Sequence, residues 1–255
     1  MFENLEELVQ KLSDRHFGIG SDGVVLIEKS NLADFKMRIF NSDGSEAEMC
    51  GNGIRCVGKY VYEKGLTGKE KIFIETLAGI KELKLYCENG ICDKVCVDMG
   101  EPAFKSEDLP TFLDEKITKD LKLKIDDIEF RFTLVSMGNP HAITFVEDVR
   151  NIPLEKYGPI VENDSIFPHR TNVEFVEIKD KNHIKMRVWE RGTGETLACG
   201  TGACASVVAG GVNGYTDSEV IAELLGGKLS IKWDKNNHIY MTGPATTIFE
   251  GEINV

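Results

Sequence analysis

Lys36 to Gly53 reads KMRIFNSDGSEAEMCGNG, and Lys185 to Gly202 reads KMRVWERGTGETLACGTG. The two stretches align without a gap, Lys36 on Lys185 and Cys50 on Cys199. Each opens on Lys-Met-Arg and an alternating run that predicts a strand. Each crosses a polar loop containing glycine and reaches Cys-Gly-x-Gly, as Cys50-Gly51-Asn52-Gly53 and Cys199-Gly200-Thr201-Gly202. A helix is predicted after both. Ile54, Val57 and Val61 keep helical spacing in a run ending near Gly65, whereas Ala203 to Val212 is small and apolar on nearly every face. A helix of the second kind must be buried all round.

The likeness extends outward from these segments. Val24 to Ile27 aligns with Val173 to Val176, a strand in both copies. Ile72 to Tyr86 resembles Val220 to Trp233, two strands about a glycine turn, and Val95 to Pro102 resembles Ile239 to Pro244. A duplicated unit of this kind predicts two similar domains related by a pseudo-twofold. The expected division is 1–100, with residues 244–255 returning to it as a strand, and 101–243. The boundary is expected within Gly100 to Pro110, where Gly, Pro and charged residues cluster. The second copy opens with FRFTLVSMGNPHAITFVEDV, Phe130 to Val149, read as strand, turn, strand. Its aligned partner would fall before Met1, so the first half is expected to lack an opening hairpin.

Composition narrows the function. The 255 residues are 42% hydrophobic, enough for a packed core. No apolar run approaches the roughly 20 residues of a membrane span, and the acidic, amphipathic start MFENLEELVQ is not a targeting segment. With 30 Lys and Arg against 42 Asp and Glu, the net charge of −12 disfavours nucleic acid and anionic membrane as partners. Seven cysteines without a Cys-x-x-Cys pair speak against a disulfide framework and a thiolate zinc site. The reading is a reduced, soluble, cytoplasmic protein. Buried structural thiols are expected at Cys56, Cys87, Cys92, Cys96 and Cys204.

Cys50 and Cys199 differ from those five because each begins a helix. Unpaired N–H groups and the helix dipole there favour a thiolate and predict a depressed pKa. The flanking glycines let a carboxylate approach the backbone. Two such thiols facing one another across a cleft could invert a stereocentre, one removing a proton and the other returning one to the opposite face. A redox protein using the same two cysteines as a disulfide pair is the competing reading.

EMCGNGIRC and ERGTGETLACGTGACAS closely resemble the two active-site signatures of the diaminopimelate epimerase family, and MRIFNSDGSE, SMGNPH and MTGPA are similar to it as well. The likeness runs from about Leu12 to Val255. The paired Cys loops separate that family from the proline racemases and phenazine-type isomerases that share its fold. The resemblance implies an α/β (α+β) fold of two pseudo-symmetric domains, each a curled, mostly antiparallel sheet around a central helix. It implies epimerisation of L,L-2,6-diaminoheptanedioate to the meso form in lysine and peptidoglycan synthesis, with no cofactor or metal and with a homodimer as the assembly.

The resemblance also assigns roles. Cys50 and Cys199 match the catalytic pair, His141 the partner of the first cysteine and Glu190 the partner of the second. Arg191 would clamp the distal carboxylate, and Asn41, Asn139 and Asn172 would contact the substrate. Gly51, Asn52, Gly200 and Thr201 would supply an N–H cradle for the reacting carboxylate. The family's opening Gly-Asn-Asp-Phe segment, whose Asn touches the substrate, has no match in the chain, and Gly23 stands where some relatives carry a contacting Gln. The alternatives are a racemase of another amino acid on the same fold and a catalytically impaired, truncated paralogue.

Overall fold

The computed structural model describes residues 4–105, 109, 111 and 119–254. The chain forms two compact units, Met1–Val97 with Gly243–Val255 and Asp98–Thr242. Residues 106–108 and 110, within the segment expected to carry the boundary, lie outside the described residues, as do residues 1–3 of the amphipathic start.

The first unit opens with helix α1 (Leu5–Ser13), capped by the Asn4 side chain, which accepts from the Glu7 N–H at 3.3 Å. Strands β1 (Gly23–Glu28) and β2 (Phe35–Asn41) pair antiparallel, and the short β3 (Glu46–Ala47) folds back on β2. Helix α2 (Gly51–Glu63) follows. Then come β4 (Lys71–Thr76), parallel to β2, and the antiparallel β5 (Gly79–Glu88) and β6 (Ile91–Asp98). Gly79 lies at φ +90°, the left-handed region that the tight β4–β5 turn requires. Ile54, Val57 and Val61 of α2 are buried, with Ile72, Ile74, Leu83, Leu85, Val95 and Val97 of the strands. The predicted 3.6-residue spacing is thus the stripe that α2 turns to its core.

The second unit begins with β7 (Leu121–Ile125), β8 (Ile128–Ser136) and β9 (Pro140–Val146), a meander. Helix α3 (Leu154–Glu162) comes next. The order of the first unit then recurs. Strands β10 (Asn172–Asp180) and β11 (His183–Glu190) pair antiparallel, and β12 (Gly194–Thr196) folds back on β11. Helix α4 (Gly200–Val212) is followed by β13 (Glu219–Leu224), parallel to β11, and by the antiparallel β14 (Gly227–Trp233) and β15 (Ile239–Pro244). β9 runs parallel to β10 with His141 opposite Asn172, which joins the meander to the repeated part. Each unit is therefore a mixed, mostly antiparallel sheet packed against two helices, α1 and α2 in the first and α3 and α4 in the second. In the second unit the sheet curls about α4, which touches β8, β9, β10, β11, β13 and β14. Ten of its residues from Gly200 to Gly210 are buried, as its uniformly small, apolar sequence requires.

Two expectations fail. Residues 245–254 form no strand. Ile248 and Phe249 are adjacent and both strongly exposed, so this tail lacks the alternation that would set one face on a sheet. It is tied to the first unit by the Lys64–Glu250 ion pair at 2.6 Å. Of the five cysteines read as buried, only Cys92 and Cys204 are; Cys56 is exposed, and Cys87 and Cys96 are half-buried. Cys56 lies on the side of α2 away from the Ile54–Val57–Val61 stripe, and Cys87 and Cys96 sit on strands with one open face.

Candidate active site

In the first unit, β2 ends at Asn41 and the chain turns so that the Asn41 N–H meets the Ser45 carbonyl at 2.9 Å. The Asn41 amide donates to Ser45 Oγ at 3.0 Å and is exposed. Cys50 then caps α2 with its side chain, Sγ accepting the Gly53 N–H at 3.4 Å. The first N–H groups of a helix have no intrahelical acceptor, so Gly51 and Asn52 present donors beside this sulfur. Arg55 secures the turn from inside. It is 7% exposed and donates to the Gly51 carbonyl at 2.7 Å, to Asn52 Oδ1 at 3.0 Å and to the Pro244 carbonyl at 3.2 Å. Sequence reading passed over Arg55 because an arginine one turn into an amphipathic helix looks like a surface residue.

The second unit repeats the cap with different surroundings. Cys199 Sγ accepts the Gly202 N–H at 3.3 Å and lies 3.4 Å from Thr201 Oγ1, but the residue is only 6% exposed. Burial pushes its thiol well above the ordinary cysteine range, and Glu190 and Glu174 push in the same direction. The hydrogen bonds from Thr201 and Gly202 oppose this without reversing it. The depressed pKa expected of a helix-start thiol is therefore corrected for Cys199, where desolvation and two carboxylates outweigh the helix terminus.

A prediction follows from that sign. A thiol held above the ordinary cysteine range stays protonated at neutral pH, so alkylation of Cys199 by iodoacetamide should still climb about tenfold per pH unit where an ordinary cysteine, with a pKa of about 8.5, has begun to level off. Peptide mapping by mass spectrometry checks this, and a plateau by pH 8 would contradict it.

Five of the remaining candidates of this unit fall into two groups. Asn139, His141 and Thr201 are linked to Cys199. His141 is fully buried on β9, with Nδ1 2.6 Å from Glu174 Oε1 and Nε2 3.1 Å from Asn139 Oδ1. The Asn139 amide donates to Thr201 Oγ1 at 3.3 Å. Asn172 and Arg191 form the second group. The buried Asn172 donates to the Pro140 carbonyl and accepts the Arg191 N–H, both at 2.9 Å, and so ties β9 to the end of β11. The Arg191 side chain is exposed and donates to the His169 carbonyl at 3.3 Å. Glu190, at the end of β11, accepts from the Thr196 hydroxyl. Gly200 opens α4 and is buried.

The sequence reading missed Glu174. It is wholly buried, bonded to His141, and close enough to Cys199 to act on its thiol. The signal was available in the repeat, because the gapless alignment sets Glu174 against Val25. A buried carboxylate in one copy where the other has a half-buried valine is a departure that the fold itself does not demand.

The architecture is that of the racemase, epimerase and isomerase structures built on this fold. A phenazine biosynthesis protein of the PhzF family from Bacillus anthracis superposes with a TM-score of 0.72 at 22% identity, covering all of this chain and 90% of that one. A probable proline racemase from Agrobacterium radiobacter gives 0.68 at 15% identity, covering 98% of this chain and 81% of that one. Within that class the sequence is specific. The diaminopimelate epimerase family model matches residues 1–105 and 133–248. The diaminopimelate epimerase of Methanococcus maripaludis is 59% identical over 254 residues, covering 99% of this chain and 92% of that protein. That of Acetivibrio thermocellus is 58% identical over 254 residues, covering 99% and 91%. The chain belongs to the diaminopimelate epimerase family and is an amino-acid epimerase.

Proposed function

We propose that this enzyme interconverts L,L- and meso-2,6-diaminoheptanedioate by a two-base mechanism in which Cys50 and Cys199 are the acid and base. The observation that carries the reading is the repeated cap. Each unit begins its helix with a cysteine whose sulfur accepts the N–H three residues on, at 3.4 Å from Gly53 and 3.3 Å from Gly202. Neither sulfur needs to be a cap, since Ser, Thr, Asn or Asp serves better. A thiol in both copies is explained by chemistry that needs both.

The reaction balances on the two sulfurs. A thiolate takes the α-hydrogen of the amino acid as a proton. The electron pair left on carbon spreads into the carboxylate, where the N–H groups of Gly51, Asn52, Gly200 and Thr201 stabilise the growing charge. The opposite thiol gives its proton to the other face, and the enzyme finishes with its proton on the first sulfur. His141 and Glu190 assist the two thiols, while Arg191, Asn41, Asn139 and Asn172 hold the distal end, for which a guanidinium and amides are suited. The reading needs neither pyridoxal phosphate nor a metal. It places the enzyme in the cytoplasm as a homodimer, which sedimentation of the purified protein would test. Among the described residues no helix is long and apolar enough to cross a membrane.

The test is made in deuterated water from the L,L isomer. Meso product should carry one solvent deuterium at the inverted carbon, while recovered substrate stays protiated early in the reaction. Inversion that retained the original hydrogen would overturn the two-base reading.

A further inference from the structure

Glu174 and His141 form the most deeply buried ionisable pair bonded in the second unit, with both side chains at 0% exposure. Glu174 Oε1 lies 2.6 Å from His141 Nδ1, and among the described residues Oε2 has no hydrogen-bond partner. A carboxylate oxygen carrying charge with no donor is costly inside a protein, so burial selects the arrangement of zero net charge. That arrangement puts one proton between Oε1 and Nδ1 and a second on Nε2. The alternative, a charged Glu174 with hydrogen on Nδ1 alone, buries a net negative charge and leaves Nε2 bare.

The consequence runs outward through fixed directions. A protonated Nε2 donates to Asn139 Oδ1 at 3.1 Å, which turns the Asn139 amide nitrogen to donate to Thr201 Oγ1 at 3.3 Å. A hydroxyl oxygen that is accepting there has its own hydrogen available for Cys199 Sγ, 3.4 Å away. At the aligned first-unit position stands the half-buried Val25, so the repeated strand itself does not call for a carboxylate there.

We propose that Glu174 is a positioning residue. Through His141 and Asn139 it orients the Thr201 hydroxyl to donate to the Cys199 sulfur, so that the thiolate is formed with a second donor besides the Gly202 N–H. This rests on the assignment of Cys199 to the reaction. The carboxyl groups acting on Cys199 are Glu190 from β11 and Glu174 from β10, the latter held by His141 from β9. A purely electrostatic role for Glu174 and the positioning role make opposite predictions. Removing a negative neighbour would ease ionisation of Cys199, whereas loosening the chain removes a donor and hinders it.

The experiment follows Cys199 alkylation by iodoacetamide at pH 9 by peptide mapping of the intact enzyme, alongside epimerase kcat and KM. Thr201→Val should slow alkylation about ten- to a hundredfold, the effect of one lost hydrogen bond to a charged group, and Thr201→Ser should restore it. Glu174→Gln should slow it about two- to fivefold and lower kcat more than it changes KM. The double variant should match Thr201→Val alone, because the two act in series. Faster alkylation in Glu174→Gln, or an effect of that substitution that persists in the Thr201→Val background, would overturn the proposal. Alkylation is read without turnover. If Cys199→Ser kept full epimerase activity, the mechanism would fail while the alkylation series still judged the chain of hydrogen bonds.

Discussion

Cys50→Ala and Cys199→Ala should each lower kcat by at least about 10²- to 10⁴-fold, the contribution of one positioned acid–base group. Because inversion requires one sulfur to take a proton and the other to give one, neither can cover for the other, and the double variant should be scarcely worse than either single one. Each alanine also removes the acceptor for a helix-start N–H, Gly53 in one unit and Gly202 in the other. Loss of an N-cap acceptor costs about 0.5–2 kcal/mol, so some thermal destabilisation accompanies the alanine variants. Cys→Ser separates the effects, since a hydroxyl caps well but is a far weaker acid than a thiol. The serine variants should melt like the parent and remain inactive. Chiral analysis of product and a melting curve on the same preparation check this, and full activity in either single variant would end the two-thiol mechanism.

Gly202→Ala should be the most damaging single-methyl substitution at the site. A Cβ there would lie 2.7 Å from Glu174 Oε1 and 3.3 Å from Cys199 Sγ. Glu174 is fixed by its 2.6 Å bond to His141, so the strain falls on the start of α4 and on the cysteine itself. Overpacking of this kind costs about 1–3 kcal/mol, and displacement of a reacting group by an ångström costs about a hundredfold in rate. The control lies in the other unit. A Cβ on Gly53 would meet the methyl ends of Ile39 at 3.2 Å and Val25 at 3.4 Å, flexible atoms that can give way. Gly53→Ala should therefore lose less than about tenfold in kcat/KM with little change in Tm. Equal losses in the two variants would show that the carboxyl beside Gly202 is not what makes that position intolerant.

Much of this fold could be read from the chain. The strand, loop and helix of each copy are written in periodicity and in the Cys-Gly-x-Gly turn, because an α-helix and a half-buried strand place apolar residues at different intervals. The thiols, His141, Glu190 and the amides were legible through their motifs. What escaped depended on burial, which periodicity reports poorly when both faces of a strand are covered. β10 is buried at every position from Asn172 to Glu177, so nothing in its alternation distinguishes a core glutamate from a surface one. The direction of the Cys199 shift escaped for the same reason. The helix start is visible in sequence, whereas the desolvation and the two carboxylates around the sulfur exist only after β10 and β11 have paired. The chain's last residues, expected as a strand, carry Ile248, Phe249 and Ile253. With Ile248 and Phe249 adjacent, they do not keep to one face.

The two cysteine-bearing helices differ in how much sequence drift they can absorb. α2 keeps an exposed side, on which Cys56 and Tyr60 lie, and substitutions there meet solvent. α4 is lined by Ala203, Cys204, Ala205, Ser206, Ala209 and Gly210, all buried, and even the hydroxyl of Ser206 is returned to the Gly202 carbonyl at 2.7 Å. A larger side chain at any of these positions has no open side to turn toward, and close-packed interiors yield little. Of the two helices, only α2 thus has room for a larger side chain. α4 is confined to small residues along its whole buried length, so two helices that began as equal copies would no longer accept the same substitutions.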